Sequence, residues 1–255
     1  MNNWFIDPAC NTTGVEDAFG SLDAVFNLPG ELIAKDPLSC VLRVSIDGKR
    51  YYVKRYLGNG KNAVRRWFGL RGLIGPQRVR REWENLLAFQ RWGIPTAKLV
   101  AYGLERRMGS FVRGALITEE VPDTVDLAKM AAARDPRLES RKWVAAVLRQ
   151  VADATRLMHK AGFAHNDLKW RNLLVDGGEE PTVYLIDCPS GCYWVEPFLS
   201  YRVIKDLACL DKVAIKTLSR SQRLRFFLEY AQLMRLDQKA KRDIGRILVF
   251  FKGRE

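Results

Sequence analysis

The chain has 255 residues, of which 47% are hydrophobic and 28% are charged. This composition lies in the ordinary globular range and excludes wholesale disorder. The formal net charge of +13 predicts attraction to polyanions, among them nucleotide phosphates, nucleic acid, an anionic membrane surface and a phosphorylated glycolipid.

The five cysteines are odd in number and irregularly spaced, which argues against a disulfide framework and for a reducing compartment. Cys188 and Cys192 have no second pair of cysteines or histidines nearby, so we expect free thiols rather than a structural zinc site. The amino terminus has no signal-like pattern, and no apolar run is long enough to cross a bilayer. We therefore expect a cytoplasmic protein, with peripheral contact at the inner face of the cytoplasmic membrane still open.

The first half of the chain has the pattern of a small sheet with one helix. Residues 1–39 are rich in turn-forming residues and predict no clear element. Beyond them, runs of apolar and β-branched residues predict strands over residues 40–46, 50–56, 98–105 and 111–119. Asp47 and Gly48 separate the first two strands and form a strong hairpin signal. Apolar residues at helical spacing predict a helix over 78–91, which Gly93 ends.

After residue 122 the pattern becomes mainly helical. Ser140 is placed to cap a long helix, whose apolar residues recur at helical spacing until Gly162. Two short apolar strands follow over 172–175 and 183–186, around a glycine-containing turn. From about Tyr201 onward the sequence predicts amphipathic helices.

The segment His165 to Asn172 reads His-Asn-Asp-Leu-Lys-Trp-Arg-Asn, and Asp187 ends the next predicted strand. Phosphoryl transfer needs an oriented hydroxyl, clamped phosphate oxygens and metal ions that neutralise charge. Asp167 can orient the hydroxyl or accept its proton, and Lys169 can reach the transferring phosphoryl group. Asn172 and Asp187 can hold magnesium, whereas His165 is better suited to support the loop backbone.

If the first four residues of this segment stood alone, an aspartate that caps a helix-to-strand turn would explain them. The full pattern, with the hairpin and the aspartate at a strand end, is much more specific. It therefore predicts a kinase that uses ATP and Mg²⁺.

Taken with its flanking segments, the chain resembles the bacterial lipopolysaccharide kinase family, the heptose and Kdo kinases of the lipopolysaccharide inner core. The segments that carry the resemblance are residues 51–56, 81–84, 92–96, 165–172, 185–187 and 205–208. The resemblance implies an α+β, bilobal protein-kinase-like fold. We assign a small β-rich N-lobe to residues 1–118, a hinge to 119–124 and a larger helical C-lobe to 125–255.

The resemblance also implies roles for residues outside the central motif. Lys54 would contact the α- and β-phosphates of ATP, with a helix glutamate as partner, best matched by Glu82 and otherwise by Glu84. The backbone from Glu119 to Val121 would read the adenine edge. Asp206 would be the buried aspartate that braces the catalytic loop.

Three departures from the usual kinase pattern stand out. The candidate phosphate-covering turn, residues 34–39, contains no glycine. Asn166 replaces the arginine that usually receives an activation-loop phosphate, which predicts a kinase that such phosphorylation does not switch. Pro189 follows Asp187 and Cys188, and because proline fixes φ and lacks an N–H, we expect a permanently poised metal site.

A basic segment, residues 61–81, interleaves lysines and arginines with aromatic and aliphatic residues. It is either a solvated helix face or a patch that holds an acidic glycolipid or an anionic membrane leaflet. No nucleic-acid reader module accompanies it, so we expect no nucleic-acid partner. The leading functional hypothesis is phosphorylation of a sugar hydroxyl on the lipopolysaccharide core. The alternatives are a kinase-like enzyme with a protein or small-molecule acceptor, and a non-catalytic kinase-like module that binds polyanions.

Overall fold

The computed structural model describes residues 2–58 and 78–253. The chain divides into two compact units, Met1–Leu87 with Ala97–Val121, and Ala88–Thr96 with Pro122–Glu255. This division differs from the predicted lobes in residues 88–96. The reason is aromatic packing within the second unit, where the rings of Phe89 and Trp92 lie 6.0 and 5.4 Å from that of Phe163.

The first unit is built on a six-stranded antiparallel sheet with the order β1-β5-β6-β4-β3-β2. Its strands are β1 (Asn2–Ile6), β2 (Glu31–Asp36), β3 (Ser39–Ile46), β4 (Lys49–Leu57), β5 (Leu99–Arg107) and β6 (Ser110–Glu119). The predicted strands correspond to β3, β4, β5 and β6, and the structure confirms them.

Residues 1–39 contain more structure than their composition predicted. Besides β1 and β2 they form two short helices, α1 (Thr13–Phe19) and α2 (Leu22–Asn27). Each begins at a capping hydroxyl, Thr12 or Ser21, which accepts a hydrogen bond from the third residue after it. Such short helices show too few turns for apolar periodicity to reveal them, and they persist because they pack on the sheet.

Two tight turns fix the register of this sheet. Asp47 and Gly48 have φ of 50° and 75°, and Met108 and Gly109 have φ of 48° and 78°. Left-handed backbone at both central residues is the type I′ geometry, whose twist matches that of the flanking strands. The Asp47–Gly48 turn therefore pairs Val41 with Lys54 across β3 and β4.

Helix α3 (Arg78–Arg91) has the predicted bounds. It turns Glu82, Leu86 and Phe89 inward, and each of these is at most 3% exposed. Gly93, two residues after the last helical residue, has φ of 70°, a left-handed conformation that glycine adopts without steric cost.

The second unit is mainly helical. Its helices are α4 (Leu127–Ala133), α5 (Arg141–Lys160), α6 (Phe198–Thr217), α7 (Arg220–Ala231) and α8 (Gln238–Val249). As predicted, Ser140 caps α5 by accepting a hydrogen bond from the amide of Trp143, 3.4 Å away, and Gly162 follows the helix with φ of 73°. Across the residues described, no helix is long and apolar enough to span a bilayer.

Short strands frame the central motif. They are β7 (Thr124–Asp126), β8 (Phe163–Ala164), β9 (Leu173–Asp176), β10 (Val183–Leu185) and β11 (Cys192–Tyr193). They form a three-stranded sheet β10-β9-β7 and a two-stranded sheet β11-β8. The loop that follows β8 and the residues that follow β10 are thereby held by hydrogen-bonded strands on both sides.

Candidate active site

In the first unit, Lys54, Tyr56 and Glu82 form a hydrogen-bonded cluster. The Lys54 ammonium lies 2.8 Å from one carboxylate oxygen of Glu82, whose side chain is 4% exposed. The Tyr56 hydroxyl donates to the other oxygen. The structure thus brings together Lys54 and Glu82, while Glu84 pairs instead with Arg80 at 2.7 Å.

Tyr56 was missed by the sequence reasoning, although its position gave a usable signal. It lies two residues after Lys54 on β4, and alternate residues of a strand face the same side. Burial, followed by the charge of Glu82, raises the pKa of the Tyr56 hydroxyl. The phenol therefore remains a proton donor and fixes the Glu82 carboxylate against the Lys54 ammonium.

The predicted hinge begins at the end of β6. The amide of Glu119 donates to the carbonyl of Lys98, and the amide of Glu120 to that of Arg50, both at 2.9 Å. Their carboxylates pair with Lys49 at 3.2 Å and Arg50 at 2.7 Å, respectively. Neither amide can therefore meet an adenine edge without giving up a hydrogen bond, and the assignment of Glu119 and Val121 to adenine binding stays a prediction.

In the second unit, helix α6 holds the loop that follows β8. The buried Asp206 accepts a hydrogen bond from the His165 amide at 2.7 Å. The neighbouring Lys205 donates to the carbonyl of Asn166 at 2.8 Å. Two consecutive side chains of one helix thus hold the backbone of two consecutive residues of the loop. Lys205 was not singled out from the sequence, although it belongs to the segment 205–208.

The His165 side chain is fully buried. Its ring stacks on that of Phe89, with centroids 6.2 Å apart and planes 13° apart. Burial lowers the pKa of His165, so the imidazole is neutral at physiological pH. Within the described parts of the chain neither ring nitrogen has a hydrogen-bond partner. This environment suits support of the loop rather than contact with a substrate.

The Asp167 carboxylate lies between two cationic side chains. One oxygen lies 2.5 Å from the Lys169 ammonium, and the other lies 3.2 Å from the Arg171 guanidinium. Partial burial acts to raise the pKa of Asp167, but the hydrogen bonds and charges of Lys169 and Arg171 outweigh it and hold the pKa below its usual value. Asp167 is therefore ionised at neutral pH and able to accept a hydrogen bond from a hydroxyl.

Arg171 is another residue that the sequence reasoning did not select. The sequence offered no periodic signal for it, because the 3-10 turn Trp170–Asn172 begins after Asp167 and repeats every three residues. Its contact with Asp167 depends on how the whole loop folds.

Asn172 connects Asp167 with the segment that contains Asp187. Its side-chain amide nitrogen donates to the carbonyl of Asp167 at 2.9 Å, and the amide of Ile186 donates to the carbonyl of Asn172 at 2.9 Å. Asp187 therefore directly follows a residue that is hydrogen-bonded to Asn172. Asp187 has φ of 57°, a strained conformation of the kind that is concentrated at functional sites.

These two side chains fit the demands of a magnesium ion. Because the Asn172 nitrogen is used as a donor, its side-chain oxygen is the atom suited to a cation, and Asp187 adds carboxylate oxygens. In residues 2–58 and 78–253 no cluster of three or more His, Cys, Asp or Glu side chains suited to a metal occurs. A magnesium ion here would take its remaining ligands from water and substrate phosphates, as this ion usually does.

Asn166 fixes the loop to the segment after Asp187. It has φ of 65°, and its side-chain nitrogen donates to the carbonyl of Ser190 at 2.9 Å. Asparagine tolerates the left-handed region better than most residues.

Two further predictions concern the basic segment and the candidate phosphate-covering turn. Most of the basic segment 61–81 falls outside the described residues, which include only its last four positions. The candidate phosphate-covering turn, residues 34–39, is the exposed hairpin between β2 and β3; its role stays a prediction.

The profile of the lipopolysaccharide kinase (Kdo/WaaP) family matches residues 37–192. The lipopolysaccharide core heptose(I) kinase WaaP of Pseudomonas aeruginosa is 31% identical over 150 residues, which cover 57% of this chain and 54% of that protein. The enzyme of the same name from Escherichia coli is 28% identical over 151 residues, with the same coverage. The matched region thus spans about half the length of these curated relatives.

A solved structure of WaaP in complex with acyl carrier protein superimposes with a TM-score of 0.73. It is 24% identical in sequence, and the match covers 99% of this chain and 97% of that chain. This similarity confirms the predicted α+β, protein-kinase-like fold.

Proposed function

The chain belongs to the lipopolysaccharide kinase (Kdo/WaaP) family, and we propose on that premise that it transfers a phosphoryl group from ATP to a sugar hydroxyl of the lipopolysaccharide inner core, on heptose or Kdo. The observation that carries this proposal is the arrangement around Asp167. One short turn joins this ionised carboxylate to the Lys169 ammonium and to the Asn172 amide, and Asp187 follows closely in space. Phosphoryl transfer requires these groups together.

In this proposal Asp167 receives the acceptor hydroxyl. Its carboxylate accepts the hydroxyl hydrogen bond and aims the oxygen at the γ-phosphorus. To do so it exchanges one of its cationic partners, and Lys169 can turn to the phosphoryl oxygens, which gather negative charge during transfer. The 45% exposed side chain of Lys169 has room for this movement.

Asn172 and Asp187 would hold the magnesium ion through oxygen atoms. When bound, the ion neutralises phosphate charge and fixes the β- and γ-phosphoryl groups. The hydrogen bond from Asn172 to the Asp167 carbonyl couples the orientation of the metal ligand to that of the hydroxyl-orienting residue. A hydrogen bond to a residue that binds a metal holds that residue in the orientation needed for binding.

Lys54 would bind the α- and β-phosphates of ATP. Its ammonium is held by the buried Glu82 carboxylate, which in turn is fixed by Tyr56. Because Glu82, itself fixed by Tyr56, already holds its ammonium, Lys54 can present its charge without a large loss of side-chain entropy.

Two alternatives make different predictions. A kinase with a protein or small-molecule acceptor would retain every group described above and differ only in what Asp167 receives. A non-catalytic module that binds polyanions would have no chemical need for Lys54, Asp167, Asn172 and Asp187 together. The family match favours a sugar acceptor over the first alternative, and the retained groups argue against the second, so we place sugar phosphorylation first. We also propose a cytoplasmic location, with peripheral contact at the membrane that carries the acceptor.

The test incubates the protein with ATP, magnesium and dephosphorylated core oligosaccharide and follows phosphate gain on the sugar. Asp167→Ala should abolish the gain while ATP binding, measured by thermal shift, persists. Asp153→Ala is the matched control, because this half-exposed carboxylate lies on α5, where it pairs with Arg156 at 2.6 Å rather than with a residue of the proposed site, and it should leave activity intact.

The other outcomes of this experiment lead to different conclusions. Transfer to a protein but not to sugar would keep the kinase and remove the sugar acceptor. Nucleotide binding without transfer to any acceptor would favour the binding module. Absence of both transfer and nucleotide binding would refute the enzymatic proposal.

A further inference from the structure

Among the side chains of residues 2–58 and 78–253 that contact Asp167, Arg171 is the one to which the proposed reaction assigns no task. The side chain of Asp167 is 30% exposed, while those of Lys169 and Arg171 are 45% and 61% exposed. Both cations therefore remain accessible to a ligand while they contact the carboxylate.

The turn does not depend on Arg171 for its stability. Trp170 and Asn172, on either side of it, are 5% and 3% exposed. Asn172 also bonds Asp167 and Ile186, and these contacts fix the turn from inside. An ion pair as exposed as that of Arg171 with Asp167 contributes little to stability. The guanidinium therefore projects from a turn that other residues hold.

The chemistry of the guanidinium indicates what it would bind. A planar fork of five N–H donors matches the two oxygens of a carboxylate or phosphate. Its contact with Asp167 at 3.2 Å involves only the Nη2 atom. An arginine that is exposed, anchored beside the hydroxyl-orienting group and able to donate further hydrogen bonds is suited to an anionic ligand.

We propose that Arg171 binds an oxyanion carried by the acceptor, a carboxylate or a phosphate, close to the hydroxyl that is phosphorylated. The inference rests on the proposed function and deepens it, because it makes negative charge near the accepting hydroxyl a condition for good substrates. When the oxyanion draws Arg171 away from Asp167, one carboxylate oxygen is released to the hydroxyl. Binding of the acceptor would thus expose the Asp167 carboxylate, which orients the acceptor hydroxyl.

This exchange of partners would explain why Asp167 pairs with two cationic side chains. With both cations in place, each carboxylate oxygen already accepts one charge-assisted hydrogen bond, so an incoming hydroxyl competes with two cationic side chains for the carboxylate. Lys169 leaves toward the nucleotide phosphate and Arg171 toward the acceptor. A complex that contains both substrates therefore presents Asp167 as a stronger acceptor than a complex with ATP alone, which would limit wasteful hydrolysis of ATP by water.

The experiment compares three acceptors that differ in charge. They are a core oligosaccharide with its sugar-acid carboxylates, the same oligosaccharide with these carboxylates reduced to alcohols, and the reduced form carrying a phosphomonoester. Initial rates at saturating ATP and magnesium give kcat and KM for each acceptor, for the unmodified protein and for Arg171→Ala, Arg171→Lys and Arg171→Glu. Arg149→Ala, an exposed arginine on α5, is the matched control.

We expect the unmodified protein to prefer one charged acceptor over the reduced one by about tenfold to a hundredfold in kcat/KM, the range of a charge-assisted hydrogen bond. Whether the preferred acceptor carries the carboxylate or the phosphomonoester identifies the oxyanion. Arg171→Ala should abolish this preference mainly through KM, Arg171→Lys should retain part of it, and Arg171→Glu should reverse it.

Two results would overturn the inference and leave the proposed function standing. One is equal use of all three acceptors by the unmodified protein. The other is an equal fall of kcat for every acceptor in Arg171→Ala with the charge preference intact, which would reduce Arg171 to a positioning partner of Asp167. Absence of transfer to all three acceptors despite ATP binding would overturn both proposals.

Discussion

Replacing Asp206 tests whether helix α6 holds the loop in place. The Asp206 side chain is fully buried, and its Oδ2 atom accepts the His165 amide at 2.7 Å. The same oxygen lies 3.5 Å from His159. Asp206→Ala would leave the His165 amide buried without this acceptor, whereas Asp206→Asn conserves the shape and an acceptor oxygen.

The expected loss follows from these contacts. A hydrogen bond to a charged group contributes about 1.5–3 kcal/mol, and a buried donor left without a partner costs about 1–3 kcal/mol. Relief from burying the aspartate charge offsets part of this. We therefore expect Asp206→Ala to lower the free energy of unfolding by about 2–3 kcal/mol and Asp206→Asn by about 1 kcal/mol.

Urea denaturation at neutral pH measures these values, and the thermal midpoint provides a second readout, at about 2–4 °C per kcal/mol for a chain of this size. Asp153→Ala removes a half-exposed carboxylate from the same unit and should cost no more than about 1 kcal/mol. If Asp206→Ala proved no more destabilising than Asp153→Ala, the assignment of Asp206 as the support of the loop would be wrong.

Four further changes probe the site and its surroundings. Asp167→Asn should lower kcat at least about a hundredfold without weakening ATP binding in a calorimetric titration. Lys169→Met should raise the pKa of Asp167 toward its usual value, so the acidic limb of the kcat/KM profile should move to higher pH. Tyr56→Phe removes the donor to buried Glu82 and should cost about 1–2 kcal/mol in urea denaturation and raise the KM for ATP. Gly191→Ala should cost about 1–3 kcal/mol in the same assay, because its Cβ would overlap buried side chains.

The direction in which the acidic limb of the profile moves follows from the direction in which the pKa of Asp167 is shifted. Asp167 has a lowered pKa because Lys169 and Arg171 outweigh burial, so the ionised form persists to lower pH than in a free carboxyl. Losing Lys169 therefore makes activity fall at a higher pH as the solution is acidified. If the acidic limb of Lys169→Met stayed in place or moved to lower pH, Asp167 would not be the group whose ionisation determines it.

Controls exist for the remaining changes. Gly245→Ala lies on α8 where a new Cβ would meet nothing within 4 Å, so it should stabilise the helix by about 0.5–1 kcal/mol. A destabilisation by Gly245→Ala as large as that by Gly191→Ala would rule out local overlap as the cause. Undiminished turnover by Asp167→Asn would show that Asp167 takes no part in the reaction. An unchanged KM for ATP in Tyr56→Phe would show that the cluster of Lys54, Tyr56 and Glu82 does not contribute to ATP binding.

Sequence patterns predicted those elements that depend on local chemistry. The Asp47–Gly48 hairpin and the helix over 78–91 follow from turn preference and apolar spacing, and both are confirmed. The short helices α1 and α2 were not predicted, because their stability comes from packing on the sheet rather than from periodicity. The position of residues 88–96 in the second unit was not predicted either, because it depends on ring contacts made more than 70 residues along the chain, at Phe163.

The same distinction applies to the candidate site. The loop from His165 to Asn172 could be found because its groups are contiguous, and the pairing of Lys54 with Glu82 required a family resemblance. Lys205 and Arg171 were not selected from the sequence. The contact of Lys205 depends on how a helix packs and that of Arg171 on how a turn folds, and composition specifies neither. The catalytic and binding roles of all these residues remain predictions until the variants are measured.

The replacement of the usual arginine by Asn166 bears on regulation. Where an arginine would need a phosphate partner to order the segment after Asp187, the Asn166 amide bonds directly to the Ser190 carbonyl. Residues Cys192–Tyr193 in that segment also pair with β8, and Lys205 holds the Asn166 carbonyl from α6. These contacts are present without any added charge, and Pro189 removes backbone freedom between them. We therefore expect substrate occupancy at Asp167, rather than phosphorylation of this segment, to control when the reaction proceeds.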